Sequence, residues 1–414
     1  MFLMLAAEFS KGGAAFPMPR GSVFRDRERL LPRHIPGALP HREAHIRMLR
    51  SLFEDFLNKP GETYERVVQL LGPVGSGKTS TVHRFGLDYQ KSAAELGIPL
   101  TFVHVNCKLE AGSRFILYKT LLERVAPEFV TRGHSPEEML RHLVSFLRRE
   151  ERYLLLALDD VDYLIRKSKE DEEEGGVVYD LTRINEMHHG AFQNVVGVIF
   201  IARDPGFLDL LDPSERSSLG NVVVKLPRYG FEQLRDILFS RVEEAFRPGA
   251  VEDAAVDYVA DLAAGKRSDP GDCRFALDIM LTSGLIADAE MAEAVSIEHI
   301  RRAVGETFWG ISSEDLDALD EQSAAVLTGA VQALQFEKTP YVSTKSVQSF
   351  YEVACEAQGL KPLSYSRVKE LVKDLSIRGI IDYREDKGVS IAGASLEDLS
   401  RVLKGIDRRR AIDM

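Results

Sequence analysis

At 414 residues the chain is too long for one small domain, and two or three are expected. Its 44% hydrophobic content is that of a globular protein with a real core, and it has no apolar run of about 18 residues, so no membrane span is expected. The net charge of −11 taken alone speaks against nucleic acid, but residues 1–60 carry ten Lys and Arg against six Asp and Glu and residues 320–414 carry fourteen of each, which leaves −15 in the middle and puts any DNA contact at the chain's ends.

The three cysteines, Cys107, Cys273 and Cys355, are far apart and form no C-x-x-C. That argues against a disulfide framework or a zinc site and fits a reducing interior. Residues 1–7 are apolar but too short for a signal peptide, so an intracellular protein is expected. Residues 1–22 read as a flexible extension. A proline-punctuated loop follows to Pro40, then an amphipathic helix with Ile46, Leu49, Leu52, Phe53 and Phe56 on one stripe. His41 and His45 have metal-ligand spacing, but no third ligand lies nearby and an ordinary helical pair is favoured.

The stretch ERVVQLLGPVGSGKTS, 65–80, reads as a strand, a glycine-rich loop and a helix. Gly72, Gly77, Lys78 and Thr79 fill G-x-x-x-x-G-K-[ST], the phosphate-binding loop. Glycines let successive N–H groups point at phosphate oxygens, and the following helix offers its positive end. The nucleotide contacts expected are Pro73, Val74, Gly75, Ser76, Gly77, Lys78, Thr79 and Ser80, with Lys78 on the outer phosphates and the Thr79 hydroxyl on Mg²⁺.

A second strand is expected over 99–107, then helices over 113–125 and 135–150, the latter opened by a Ser135–Glu138 capping box. YLLLALDDVDYL, 153–164, is an apolar run ending in acids. Such a strand delivers carboxylates to a metal: Asp159 to hold Mg²⁺ through water, Asp160 to orient an attacking water. A strand that merely ends in a polar turn is the alternative, and the phosphate loop upstream favours the first. The charge run 168–176 reads as a solvated loop. Strands over 195–203 and 221–227 complete an α/β domain: a five-stranded parallel sheet with helices on both faces, and nucleotide at the strands' carboxyl ends.

From Gly230 the pattern is helical, over 231–246, 251–264, 273–289 and 296–308, an all-helical domain. Helices near 320–336, 343–358 and 364–379 and two strands, IIDYRE and VSIAG, then make a winged helix-turn-helix, with Ser364 as cap and Gly379 as stop. Helix 364–379 is the candidate for the major groove and the hairpin tip the candidate wing. Arg367, Lys369, Lys373, Arg384 and Lys387 supply phosphate contacts, with Ser364, Tyr365 and Ser366 nearest the bases. A winged helix that contacts protein is the competing reading. The boundaries expected are 1–22 for the extension, 23–227 for the sheet domain, 228–310 for the helical lid and 311–414 for the winged helix.

Several stretches, IPGALPHRE, GPVGSGKTS, DDVDYL, LLDPSERSSL, LPRYGFEQLRDILFSR and GDCRFALDIM, resemble the archaeal initiators of DNA replication. These are AAA+ proteins of the origin recognition complex and cell division control family. The resemblance runs from about Val23 to Leu403. It implies that Tyr229 and Arg241 line the nucleotide where the lid begins, and that Arg274 reaches over the outer phosphate as the lid's sensor. It implies that Arg216 is near the place of a finger acting on a neighbouring copy's nucleotide, and that an insertion around Lys108 to Arg114 touches DNA. Three departures stand out: Asp160 where Glu is usual, Arg203 where Asn is usual, and Ser214 where the finger arginine is usual. ATP or ADP with Mg²⁺, slow hydrolysis and a switch are implied. So are double-stranded origin DNA as partner, further initiator copies and the replicative helicase as associates, and a cytoplasmic, nucleoid-associated place. A signalling ATPase with a protein-binding winged helix and a helicase loader with weak DNA binding are the alternatives.

Overall fold

The computed structural model describes residues 21–170, 176–187, 193–265, 269–307 and 311–413. Strands β1 (Arg66–Leu71), β2 (Leu100–Asn106), β3 (Tyr153–Asp159), β4 (Val195–Ala202) and β5 (Val223–Lys225) form one parallel sheet in the order β2-β3-β4-β1-β5. The apolar runs expected of strands covered on both faces are there. Leu154, Leu156 and Leu158 pack with Leu117, Leu121, Leu143 and Leu147 on one face. Leu155 and Ala157 pack with Phe53, Phe56, Phe85 and Tyr89 on the other. The alternation sends each second residue of β3 to a different layer, which holds the strand's last residue, Asp159, at the sheet's carboxyl edge beside Asn106 of β2.

Local chemistry sets the helix ends. Ser135 accepts from the Glu138 N–H and Glu138 returns the bond to the Ser135 N–H, the expected capping box, opening the helix Pro136–Arg149. Within the charge run, the helix Val161–Glu170 extends further than a loop would, and residues 171–175 lie outside the described ones.

The chain divides into two compact units. One holds the sheet: Pro32–Ile237 with Leu262–Phe275. The other holds Leu238–Asp261, Ala276–Met414 and the described residues up to Leu31. In this second unit Phe24 stacks on Phe246 at 4.7 Å and Ser22 Oγ donates to Asp288 at 2.6 Å, so residues 23–31, expected with the sheet, pack with the lid region instead. Residues 1–20 of the extension expected over 1–22 lie outside the described residues.

The winged helix is built from Glu321–Glu337, Thr344–Gln358 and Tyr365–Ile377, with an antiparallel hairpin of β6 (Asp382–Arg384) and β7 (Gly388–Ser390). Its core is closed by a further helix, Leu396–Asp413, through Leu396, Leu399, Leu403 and Ile406. Ser364 occupies the N-cap position, but its hydroxyl makes no cap bond. Gly379, at φ +81°, ends the helix, and Ile380 N–H bonds back to the Leu375 carbonyl at 3.0 Å. Among the described residues no helix is long and apolar enough to cross a membrane.

Candidate nucleotide site and nucleic-acid interface

The loop after β1 curls as its glycines permit. Gly75 and Gly77 sit at φ +71° and +81°, where a side chain is strained. A Cβ on Gly75 would also lie 1.9 Å from Asp272 Oδ1. Lys78, first residue of the helix Lys78–Glu95, folds back so that Nζ donates to the carbonyls of Gly72 at 2.6 Å and Pro73 at 2.8 Å. Burial draws the Lys78 pKa down. Asp159 and Asp160 oppose that shift, while the charges of Arg203 and Arg274 add to it. Lys78 therefore stands in a partly dry site between two acids, Asp159 and Asp160, and two cations, Arg203 and Arg274.

Thr79 Oγ1 donates to Asp159 Oδ2 at 2.5 Å, which brings together the two residues singled out for Mg²⁺. Burial would raise the Asp159 carboxyl, but His104 and Thr79 outweigh it and hold it low. His104 Nε2 lies 3.5 Å from Asp159 Oδ2, and the His83 ring is 4.4 Å from the His104 ring. Burial and the His104 charge push His83 down to about 4. Asp160 adopts φ +52°, an uncommon conformation that Asp tolerates, and its Oδ2 accepts from Asn106 Nδ2 at 3.3 Å. Asn106 fixes the acid's direction, and sequence reading missed it because the partners are 54 residues apart.

The third of the lid's helices, Cys273–Ala289, begins against the phosphate loop. Cys273 N–H donates to the Gly75 carbonyl at 3.2 Å, and Asp272 Oδ1 caps the helix by accepting from Arg274 and Phe275 N–H. That start places Arg274, exposed, where its charge is felt at Lys78. Tyr229 is buried with its hydroxyl against Gly77 and its ring under the Arg42 guanidinium at 3.9 Å. Arg241 belongs to the second unit, where it is buried and donates to the Arg29 carbonyl at 3.2 Å. Arg216 is exposed on the helix Pro213–Leu219, bonded to the Leu208 carbonyl and 3.7 Å from Asp209. The His41–His45 pair gains no third ligand: among the described residues no group of three or more possible metal ligands occurs, and His41 instead pairs with Asp236 at 2.8 Å.

The residues expected to meet nucleic acid fall into two classes. Ser364, Tyr365, Ser366, Arg367 and Lys373 are exposed on or just before the helix Tyr365–Ile377, and Lys369 is half-buried beside them. Val368, Leu371, Val372 and Leu375 turn to the core. Three other cations are differently placed. Arg114 is 8% exposed, paired with Asp180 at 2.7 Å and Glu137 at 2.7 Å, so it serves the sheet unit and offers no charge to DNA. Around it the surface is Lys108 with exposed Leu109, Phe115 and Ile116. On the wing, Arg384 and Lys387 both donate to Asp261 Oδ1 at 2.6 Å, and Tyr341 donates to Oδ2 at 2.5 Å. Asp261, on the lid helix Asp253–Ala264, is 4% exposed. The wing cations are thus drawn into the lid and away from the free phosphate-facing positions expected of them.

Three family models match the chain: an AAA domain over residues 62–211, a Cdc6 AAA+ ATPase-type lid domain over 235–305, and a CDC6 C-terminal winged helix domain over 314–391. The chain is 32% identical to an ORC1-type DNA replication protein of Thermococcus onnurineus, over 87% of this chain and 84% of that one. Its fold is similar to the crystal structure of Cdc6p from Pyrobaculum aerophilum, with a TM-score of 0.81, 26% identity, and coverage of 94% of this chain and all of that one. It is also similar to the Aeropyrum pernix ORC1 protein in complex with DNA, with a TM-score of 0.60, 28% identity, and coverage of 94% and 98%.

Proposed function

Because the chain belongs to the ORC1/Cdc6 family of AAA+ DNA replication proteins, we propose that it is an ATP-gated initiator that grips duplex origin DNA through its winged helix. The observation that carries this reading is the convergence of Lys78, Thr79, Asp159 and Arg274 on one loop, in a chain that also carries an exposed recognition helix. The similar protein from Aeropyrum pernix, solved in complex with DNA, supports DNA as the partner.

Within the site each residue has a task. Loop N–H groups and Lys78 bind the phosphate chain. Thr79 Oγ1 and Asp159 Oδ2, a hydroxyl and a carboxylate oxygen 2.5 Å apart, suit Mg²⁺, which when bound neutralises phosphate charge. Arg274 tells three phosphates from two, because the terminal phosphate adds charge and bidentate acceptors. Asp160, held by Asn106, orients the attacking water, but one methylene short of a glutamate it stands back from it, and hydrolysis is slow. Arg216 is offered to the nucleotide of a neighbouring copy, and the replicative helicase is the further associate.

The lid helix Cys273–Ala289 starts in the sheet unit and continues in the winged-helix unit. It is the element through which nucleotide biases DNA grip. Duplex binding measured against salt tests the DNA reading. With Arg367, Lys369 and Lys373 on the phosphates, log affinity falls with log salt by roughly 0.9 per neutralised phosphate, and R367A/K369A/K373A flattens the slope by about two to three. A slope near zero in the wild type supports the protein-contacting alternative and removes DNA binding.

A further inference from the structure

Arg42 stands at the N-cap of the helix Glu43–Asn58, just after the proline-punctuated loop, and is 1% exposed. A buried arginine is costly unless its donors are met. Four of its hydrogen bonds go to backbone carbonyls: Nε and Nη2 to Ser76 O at 3.1 and 2.8 Å, Nη2 also to Pro227 O at 2.9 Å, and Nη1 to His41 O at 3.1 Å. Tyr229 covers the guanidinium at 3.9 Å. One cation thus ties together the entering segment, the phosphate loop and the residues that lead into the lid.

The Ser76 carbonyl is the informative partner. A trans peptide points its C=O and its N–H in opposite directions. With Ser76 O held by two guanidinium nitrogens, the Gly77 N–H faces away from Arg42, and among the described residues no group accepts from it. Tyr229, whose hydroxyl lies 2.6 Å from where a Gly77 Cβ would be, backs the same peptide.

We propose that Arg42 is a positioning residue for bound nucleotide: gripping Ser76 O from behind the loop, it aims the Gly77 N–H at the phosphate chain. This rests on the nucleotide-binding reading and adds to it a residue outside the phosphate-loop motif. The bond is directional, so Lys at position 42 keeps the charge but not the two-pronged hold.

The test compares ADP with adenosine, which lacks the phosphates, on full-length wild type, R42K and R42A, with adenosine titrated as a competitor of a fluorescent ADP. Both variants are expected to lose roughly ten- to a hundredfold in ADP affinity while adenosine shifts by less than about twofold. Millimolar guanidinium is expected to restore ADP binding to R42A. Equal losses for ADP and adenosine, or unchanged ADP affinity, overturn the proposal. R42K preserves charge and bulk should R42A fail to fold. Wild type that ignores ADP refutes the nucleotide reading itself, a distinct outcome.

Discussion

Lys78 shows how much chemistry one position carries. Its amine is satisfied by two carbonyls of its own loop, so an arriving phosphate exchanges weak neutral partners for a charged one. K78A is expected to abolish retention of ADP through gel filtration, and retention at wild-type level would contradict the role. Glu65 gives a test of pH dependence. Burial raises its carboxyl to about 8 from the ordinary 4.5, and its buried Oε1 has no hydrogen-bond partner among the described residues. The folded state therefore holds a proton that the unfolded chain releases. Stability is full below about 4.5 and drains as pH rises toward about 8, at up to ~1.4 kcal/mol per unit. E65Q, which keeps the neutral shape, is expected to flatten the unfolding temperature between pH 5 and 8. A decline as steep as the wild type's would rule Glu65 out. At this scale the motif residues were legible because their spacing is their chemistry. Arg114 misled through its charge. It stands three and four residues before Leu117 and Tyr118 on the stripe that turns inward, and that periodicity was the available signal. Its partner Asp180, 66 residues away, was not visible. Arg42 left no periodic trace at all.

Among elements, the wing departs furthest from expectation. Arg384, Lys387 and Tyr341 converge on Asp261, an acid almost without solvent. A carboxylate held by three donors competes with DNA phosphate for the same cations. D261N is expected to release the wing, raise duplex affinity at low salt and steepen the salt slope by up to about 1.8 for two cations. An unchanged or shallower slope in a folded D261N protein would show that the lid contact is not what withholds them. The strands and most helices were legible from apolar runs and caps, since those signals are local. The closing helix Leu396–Asp413 was also written in the spacing of Leu396, Leu399, Leu403 and Ile406. Strand order was not legible, because a parallel sheet fixes its neighbours through crossovers and packing.

On the scale of the whole molecule, the sequence divides at changes of pattern and the fold divides at contacts. Helical periodicity from Gly230 onward marks the lid, yet the fold assigns Leu262–Phe275 to the sheet unit and residues 22–31 to the other. The exchange has a physical basis: Cys273 N–H bonds to the Gly75 carbonyl and Asp272 lies against Gly75, whereas Phe24 stacks on Phe246 and Ser22 bonds to Asp288. A chain organised this way has Arg274 in one unit and the helix Tyr365–Ile377 in the other, with the helix Cys273–Ala289 running through both. Footprinting on the organism's own origin-proximal duplex, run in parallel with ATP and with ADP, tests the central claim most directly. The account predicts a protected site that depends on the recognition-helix cations and whose strength or extent differs between the two nucleotides. No protection at low ionic strength, or identical protection with ATP, ADP and the K78A protein, would contradict it.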